Sequence, residues 1–261
     1  MIDAILITIL VLAVLALIVL FIGRRLRRAR PLIALPEAYR QMLQDHVPFY
    51  KALDEAEKTQ FESRVQYFLG EVRITGVNTV VTDMDRVLTA ASAIIPIFAF
   101  PGWQYTNLNE VLLYPETFSE EFEQQGNDRN VLGMVGTGAM QNVMILSQHE
   151  LRQGFLNKTG KTNIAIHEFV HLVDKTDGAV DGIPENLMDR KYILPWLRLM
   201  QQKIQEIAKG RTDINPYGAT NQAEFFAVAS EYFFERPDLL KQKHPDLYQL
   251  LEEIFRSPQK N

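Results

Sequence analysis

Residues 163–174 read Asn-Ile-Ala-Ile-His-Glu-Phe-Val-His-Leu-Val-Asp, with the pentapeptide His-Glu-Phe-Val-His at 167–171. Histidines four positions apart on a helix project from one face about one turn, ~6 Å, apart. Both imidazoles can therefore bind one zinc ion at ~2.1 Å. The surrounding residues are mostly apolar, which predicts a helix buried on several sides. Histidines in such a segment need polar partners, so we predict a buried metal-binding helix with His167 and His171 as ligands.

Glu168 follows the first histidine and indicates hydrolytic chemistry. A carboxylate at this position of a His-Glu-x-x-His motif can take a proton from a water molecule that the zinc ion activates. The chain contains no cysteine, so histidine and carboxylate side chains must hold the zinc ion. Disulfides, iron–sulfur clusters and thiol catalysis are excluded for the same reason. We predict one zinc ion per chain.

A catalytic zinc ion needs a third protein ligand and a position open to water, and the sequence offers two arrangements. In the first, Asp177 ends an extended motif, although position 174 is then Asp where that motif has a glycine for a sharp turn. In the second, the ligand lies on a separate helix predicted at 223–235. There Glu224 and Glu231 are seven residues apart and lie on the same face of an otherwise apolar helix. Burying a carboxylate at such a position is costly unless the group is paired or coordinated. The spacing alone does not say which of the two binds zinc.

Two stretches together resemble the Mlc-titration-factor-A family of zinc-dependent peptidases. They are His-Glu-Phe-Val-His-Leu-Val-Asp at 167–174 and Tyr-Gly-Ala-Thr-Asn-Gln-Ala-Glu-Phe-Phe-Ala-Val-Ala-Ser-Glu-Tyr-Phe-Phe at 217–234. The resemblance implies a zincin-like metallopeptidase domain with aminopeptidase-type activity. It also implies that Glu224 is the third zinc ligand. Glu231 then either supports the site from outside the ligand set or is structural. Tyr217 matches a family tyrosine and can donate to the developing oxyanion.

Residues next to the predicted ligands add two expectations. Asp174, three residues beyond His171, can reach back along the helix and orient a ligand histidine. Where the family often has Asp-Pro before the Ala-Glu pair, this chain has Asn221 and Gln222. A proline at this position would pre-set the backbone for the start of the helix. In this chain the side chain of Asn221 can cap the helix instead. The other histidines lie in polar or loop-like contexts and are predicted to be surface residues: His46, His149 and His244.

The N-terminal residues predict a membrane anchor. Residues 4–23 contain no charged side chain and are dominated by Ile, Leu and Val, enough for ~30 Å of helix. Five arginines follow within residues 24–30, and arginines stay on the cytoplasmic side. We therefore expect residues 1–30 to be a single transmembrane helix with its basic flank in a bacterial inner membrane. Residues 31–261 are then a cytoplasmic domain.

The distribution of charge excludes one class of partner. The chain has a formal net charge of −5, and residues 1–30 contribute +4 through five arginines and one aspartate, which leaves −9 for the rest. A domain this acidic is a poor candidate for nucleic-acid binding. The arginine cluster is better explained by anionic lipid headgroups, so we predict no nucleic-acid partner.

Helical periodicity together with short strands predicts an α+β domain. Helices are expected at 54–68, 82–98, 194–208, 223–235 and 246–255. Asp54 is expected to cap the first, and Pro96 to kink or end the second. Strands are expected at 72–74, 110–114 and 142–146, and the glycine-rich segment 133–138 is predicted to be a turn or an irregular connection. We expect strand 142–146 to be an edge strand that pairs with an extended substrate.

Two main functions remain open at this point, and a third is metal-dependent hydrolysis of a substrate other than a peptide. The first is hydrolysis of peptide bonds, with Glu168 as the general base that later protonates the leaving amine. The alternative is a membrane-tethered regulator with structural zinc, whose partner, by the resemblance, is a sugar-responsive transcriptional repressor. A closed site with Glu231 or Asp177 as a fourth ligand would support the regulator. An open site with Glu168 facing a cleft supports the enzyme.

Overall fold

The computed structural model of this protein describes residues 34–119, 131–136, 140–157 and 159–256. The described residues from Leu35 onward belong to one compact unit. The predicted membrane anchor, residues 4–23, and its basic flank lie outside the described residues, so the anchor stays a prediction. Within the described ranges, none of the helices combines the length and the apolar character needed to span a bilayer.

Helices make up most of the described chain, so the predicted α+β class with its excess of helix is confirmed. The helix predicted from residue 194 begins earlier, at Arg190, and the other predicted helices are present with shifts of a few residues at their ends. In chain order the α-helices are α1 (Glu37–His46), α2 (Pro48–Lys51), α3 (Glu55–Glu71), α4 (Asp83–Ile94), α5 (Gln148–Leu156), α6 (Ile164–Asp174), α7 (Arg190–Ala208), α8 (Gln222–Glu235), α9 (Pro237–Lys243) and α10 (Pro245–Arg256).

Capping side chains and a proline set several of these helix ends. Asp54 caps α3 through its side chain, as predicted. Pro96 lies in the 3-10 turn 95–97 that ends α4. Asn221 Oδ1 accepts a hydrogen bond from the Glu224 amide at 2.9 Å and caps α8. The residue that replaces the family's Asp therefore starts the helix that carries the predicted third ligand.

The described strands form one sheet whose order corrects two predictions. The strands are β1 (Arg73–Gly76), β2 (Glu110–Tyr114), β3 (Gly133–Val135) and β4 (Val143–Ser147), in the order β1-β2-β4-β3. The pairs β1–β2 and β2–β4 are parallel, and β3 runs antiparallel to β4. The segment 133–138 therefore begins with a strand rather than a turn. The strand predicted at 142–146 is not an edge, because β4 lies between β2 and β3.

The close approach of β3 to α6 explains why residue 133, in the segment predicted as a turn, is a glycine. Gly133 pairs with Leu146 of β4, and a Cβ atom at position 133 would lie only 2.8 Å from Cγ of Glu168. A glycine inside a strand often marks such an approach. The absence of a side chain at position 133 thus allows the edge strand to lie directly against the helix of the His-Glu-x-x-His motif.

The core positions the two helices that carry the predicted ligands. Every side chain of α6 except those of Ile164 and His171 is buried. Helix α8 packs against α6 and buries three phenylalanines, Phe225, Phe226 and Phe233. Burying a side chain of this size contributes about 1.5–3 kcal/mol. Apolar contacts therefore hold the polar side chains of α6 and α8 at a fixed separation.

Candidate metal centre

Helices α6 and α8 bring the three predicted ligands together. His167 Nε2 lies 2.9 Å from Glu224 Oε2, and His171 Nε2 lies 3.1 Å from His167 Nε2. The distance from His171 Nε2 to Glu224 Oε2 is 3.4 Å. Within the part of the chain that the structure describes, these side chains are the one set of possible ligands with three donor atoms within 4.8 Å of one another.

The geometry of this cluster fits a tetrahedral metal ion. Donor atoms placed ~2.1 Å from a zinc ion at tetrahedral angles are about 3.4 Å apart, close to the three observed separations. Two imidazole nitrogens and one carboxylate oxygen also form a donor set of catalytic zinc sites, in which the fourth position is left to water or substrate. The cluster is therefore compatible with a divalent metal ion.

Asp177, the alternative third ligand, is engaged elsewhere. It lies in the 3-10 turn Lys175–Asp177 that follows α6. Its Oδ1 accepts a hydrogen bond from the Ala179 amide and its Oδ2 accepts one from the Glu185 amide, both at 3.1 Å. The carboxylate therefore holds the loop after α6, and the structure does not bring it into the ligand cluster.

Glu231 holds the first ligand from the opposite side of its ring. Glu231 Oε1 lies 2.7 Å from His167 Nδ1, and Glu231 Oε2 accepts a hydrogen bond from the Asn163 amide at 2.5 Å. When Nδ1 of His167 donates to this carboxylate, Nε2 of the same ring presents its lone pair to the cluster. The structure thus places Glu231 against His167, and its role in supporting the site stays a prediction.

Asn163 and Glu235 extend this support, and neither was predicted as a site residue. Asn163 Oδ1 accepts a hydrogen bond from the Ile166 amide at 3.2 Å and caps α6, while its Nδ2 donates to Glu235 Oε1 at 2.8 Å. An Asn directly before an apolar helix is a common capping signal. Glu235 follows Glu231 by one turn on the same face of α8. Both signals were therefore present in the sequence.

The charges in the cluster favour a bound cation. Burial alone would lower the pKa of His167, but hydrogen bonds to Glu224 and Glu231 raise it to about 10. Burial alone would raise the pKa of Glu224, but hydrogen bonds with His167 and His171 lower it to about 2. In both cases the carboxylates stabilise positive charge between the side chains. A divalent metal ion places positive charge in the same position.

Glu168 is buried beside the ligands and against β3. An ideal Cβ atom at Gly133 would lie 3.0 Å from Glu168 Oε1, so the backbone of β3 forms one wall next to this carboxylate. Burial raises the pKa of Glu168. A carboxyl group with a raised pKa is suited to accept a proton and return it near neutral pH.

A cleft of about 1440 Å³ opens onto the cluster. The three predicted ligand side chains and Glu168 line it, together with the whole of β3. Binding sites for small molecules usually have volumes of about 300–1,000 Å³. The cleft is therefore large enough for a substrate longer than a single amino acid.

Tyr217 lies at this cleft in the 3-10 turn Pro216–Ala219. The centroid of its ring is 6.0 Å from that of His167. Burial raises the pKa of the Tyr217 hydroxyl, and the negative charges of Glu224 and Glu168 raise it further. The structure places Tyr217 next to the ligands, and its role as an oxyanion donor stays a prediction.

Asp174 is buried but forms no hydrogen bond with a ligand histidine. Its Oδ2 accepts a hydrogen bond from the Gly182 amide at 2.8 Å. Asp174 Oδ1 and His171 Nδ1 are both buried without a hydrogen-bond partner among the described residues. Burial raises the pKa of Asp174 to about 6. Asp174 thus connects the end of α6 to the following loop, and its orientation of a ligand histidine stays a prediction.

His244 corrects the prediction that it is an ordinary surface residue. It is buried between α9 and α10, and its Nε2 lies 2.8 Å from Asp213 Oδ1. Asp213 also accepts hydrogen bonds from Tyr232 and Lys243 at 2.9 Å. The histidine is buried because this carboxylate partner comes from a distant segment, which the polar residues around position 244 do not reveal.

Comparisons with known proteins agree with the motifs and the geometry. The family profile described as glucose-regulated metallo-peptidase M90 matches residues 23–256. The uncharacterized protein slr2042 of Synechocystis sp. is 30% identical over 234 residues, which cover 85% of this chain and 84% of that protein. Mlc titration factor A of Pectobacterium atrosepticum is 27% identical over 227 residues, which cover 80% of this chain and 83% of that protein. The Serratia proteamaculans protein of the same name is also 27% identical over 227 residues, with coverages of 80% and 84%. The resemblance to the Mlc-titration-factor-A family is thereby confirmed, and the chain belongs to the glucose-regulated metallo-peptidase M90 family.

Proposed function

We propose that this protein is a zinc-dependent peptidase with a zincin-like domain, in which His167, His171 and Glu224 bind zinc and Glu168 is the general base. One observation carries the proposal: three donor atoms lie within 4.8 Å of one another, and the buried Glu168 lines the same cleft. Membership of a metallo-peptidase family supports the same class of reaction.

Each side chain of the site has a defined task in this reaction. A zinc ion bound here would lower the pKa of a water molecule and polarise the scissile carbonyl. Glu168 takes a proton from the attacking water and delivers it to the leaving amine as the C–N bond breaks. Because burial raises the pKa of Glu168, the side chain can hold that proton between the two transfers. Glu231 keeps the Nδ1 proton of His167 in place, and Tyr217 donates to the oxygen that becomes negative.

The edge strand β3 offers a backbone for substrate binding. It ends the strand order β1-β2-β4-β3 and lines the cleft. An extended peptide that pairs with this edge brings its carbonyl groups close to Glu168, because Gly133 of β3 lies against that side chain. β3 therefore takes the substrate-pairing role that the sequence assigned to the strand at 142–146. An aminopeptidase-type reaction is the finer form that the family resemblance implies.

The substitution Glu168→Gln tests the proposed reaction. The variant should bind one zinc ion per chain like the wild type, because Glu168 is not a ligand. Its turnover of a chromogenic amino-acid anilide should fall at least ~100-fold, because the proton transfers are lost. Glu116→Gln, at an exposed glutamate outside the cleft, is the matched control and should retain full turnover. Unchanged turnover in Glu168→Gln would remove this residue from the mechanism.

The names of two relatives favour a second candidate function. Both are called Mlc titration factor A, and this name favours a regulator that binds another protein. In this alternative the protein is tethered to the membrane, its partner is a transcriptional repressor, and zinc has a structural role. The geometry supports this alternative less well, because Glu231 and Asp177, its candidate fourth ligands, already bind other groups. Zinc-loaded wild-type protein that binds a purified repressor but cleaves no peptide or anilide would favour the regulator. Cleavage would favour the peptidase.

The proposed location of the protein rests on its sequence. Residues 4–23 would anchor it in the bacterial inner membrane with the domain on the cytoplasmic side, and residues 24–30 would contact anionic lipids. The family match begins at residue 23, so the proposed anchor precedes almost all of the matched region. The full chain should remain in the membrane fraction after alkaline extraction. Its release into the supernatant would contradict the anchor.

A further inference from the structure

Exposed apolar side chains gather around the cleft of the metal centre. Among the described residues six large apolar side chains are exposed, and three of them line this cleft: Leu132 at 39%, Val180 at 50% and Tyr217 at 53%. They come from three separate segments: Leu132 directly precedes β3, Val180 lies in the loop after α6, and Tyr217 lies in the 3-10 turn before α8. Single exposed apolar residues are ordinary, but a group at one concave site indicates a surface that a ligand covers. We call these three side chains the apolar rim.

The rest of the cleft wall adds apolar surface and negative charge. Partly buried apolar side chains line the same cleft next to the rim: Val131, Met134, Val135 and Ile164. Apart from the ligand cluster, Glu168 and Glu231, the charged residues of the wall are two carboxylates and one lysine: Glu150, Asp181 and Lys175. These three side chains carry one more negative than positive charge, so an acidic side chain of a bound peptide would meet a net negative charge on this part of the wall.

We propose that the cleft selects extended peptide segments with large apolar side chains next to the scissile bond and rejects acidic ones. This selectivity rests on the proposed peptidase function. A peptide paired with β3 lies beside Leu132, and successive side chains of an extended chain point to opposite faces. Side chains on the face towards the loop after α6 cover Val180. The substrate thus removes from water the apolar groups that the free protein leaves exposed.

The expected selectivity is large enough to measure. A single methylene group in an apolar site changes kcat/KM by about 10–200-fold. Leucine carries three more carbon atoms than alanine, but the rim is only half enclosed. We therefore expect at least about 10-fold higher kcat/KM for leucine than for alanine next to the scissile bond. Glutamate at that position should give the lowest value of the series.

The experiment uses the zinc-loaded full chain and four peptides that differ only in the residue next to the cleaved bond. These residues are alanine, leucine, lysine and glutamate, and cleavage is followed by mass spectrometry. The same series is measured for Val180→Asp and for the matched control Val80→Asp. Val80 is 79% exposed and does not line the cleft. Both variants therefore replace an exposed valine with an aspartate, but only Val180→Asp places the new carboxylate at the cleft. Circular dichroism and zinc content establish that each variant is folded and loaded.

The outcomes separate the selectivity from the reaction itself. Preference for leucine that falls at least about 5-fold in Val180→Asp but persists in Val80→Asp would support the proposal. Val180→Leu should keep the preference, since it preserves the apolar surface. An active enzyme that cleaves all four peptides at equal rates would overturn the selectivity alone. The same would follow if Val180→Asp and Val80→Asp showed the same relative rates for the four peptides. A wild-type protein that cleaves neither peptides nor an anilide would overturn the peptidase function and the selectivity with it.

Discussion

Replacing Glu231 with glutamine tests whether the second carboxylate of α8 supports the metal site. In the wild type, the Glu231 carboxylate accepts from two donors, His167 Nδ1 at 2.7 Å and the Asn163 amide at 2.5 Å. A glutamine side chain has nearly the same volume but only one acceptor oxygen. Its NH₂ group must therefore face one of the two donors, and at least one of the two hydrogen bonds is lost.

The expected change in zinc affinity follows from the kind of hydrogen bond that is lost. A hydrogen bond to a charged group contributes about 1.5–3 kcal/mol, and each 1.36 kcal/mol corresponds to a factor of ten. Loss of a carboxylate that orients a ligand histidine typically weakens metal binding by about 10–100-fold. We therefore expect the zinc Kd of Glu231→Gln to rise about 10–100-fold. Glu231→Ala removes both acceptors and should weaken zinc binding at least as much.

Glu235→Gln is the matched control for this experiment. Glu235 lies one turn further along α8 and also binds Asn163, through the side-chain Nδ2 at 2.8 Å. Its hydrogen bond runs to Asn163 rather than to His167, and a glutamine oxygen can still accept from Nδ2. The zinc Kd of this variant should change by less than about 3-fold. Zinc affinity is measured by competition with a chromogenic chelator near pH 7, with circular dichroism to establish folding.

Two results would refute this explanation of the site. A zinc Kd of Glu231→Gln and Glu231→Ala within twofold of the wild type would show that His167 needs no carboxylate at Nδ1. Equal losses in Glu231→Gln and Glu235→Gln would show that the effect comes from general disturbance of α8. In that case the contact between Glu231 and His167 would be structural rather than part of the metal centre.

Three further predictions concern the surroundings of the site. Gly133→Ala should lower kcat about 10–100-fold with unchanged zinc affinity, because its Cβ would lie 2.8 Å from Glu168 Cγ. Gly70→Ala, with open space around its Cβ, should leave steady-state kinetics unchanged. Burial raises the pKa of Glu235 to about 7, above ~4.3 in the unfolded chain. The wild type should therefore lose stability relative to Glu235→Gln as pH rises from about 4 to 7 in urea unfolding, and a constant difference would contradict this. Glu224→Ala should abolish stable zinc binding in metal analysis after dialysis, and retained stoichiometric zinc would exclude Glu224 as a ligand.

Local patterns were sufficient to predict the helices that carry the site. The spacing of His167 and His171 and the apolar residues around them depend only on the period of a helix, so α6 could be predicted without knowledge of its neighbours. The same holds for α8, whose apolar residues leave little room for a polar face. Both helices form as predicted and bury their apolar residues against each other.

The sheet could not be predicted in the same way, because strand order depends on pairing between distant residues. β3 has three residues, and its pairing of Gly133 with Leu146 joins segments that are separate in the sequence. A glycine-rich stretch has turn propensity by itself, and only the nearby α6 explains why a strand needs a glycine there. The edge of the sheet was therefore assigned to β4, whose own pattern is the stronger strand signal.

The separate roles of the two glutamates of α8 could not be assigned from the sequence alone. Seven residues separate the Cα atoms of Glu224 and Glu231 by ~10.5 Å along the helix, whereas two oxygen ligands of one zinc ion would lie about 3.4 Å apart. The His167 ring bridges this difference, because Glu224 approaches its Nε2 and Glu231 its Nδ1. This spacing opposite a His-Glu-x-x-His helix therefore favours one ligand and one supporting carboxylate over two ligands. Which glutamate takes which role depends on the direction in which α6 and α8 pack, and that direction is a property of the whole core rather than of either helix.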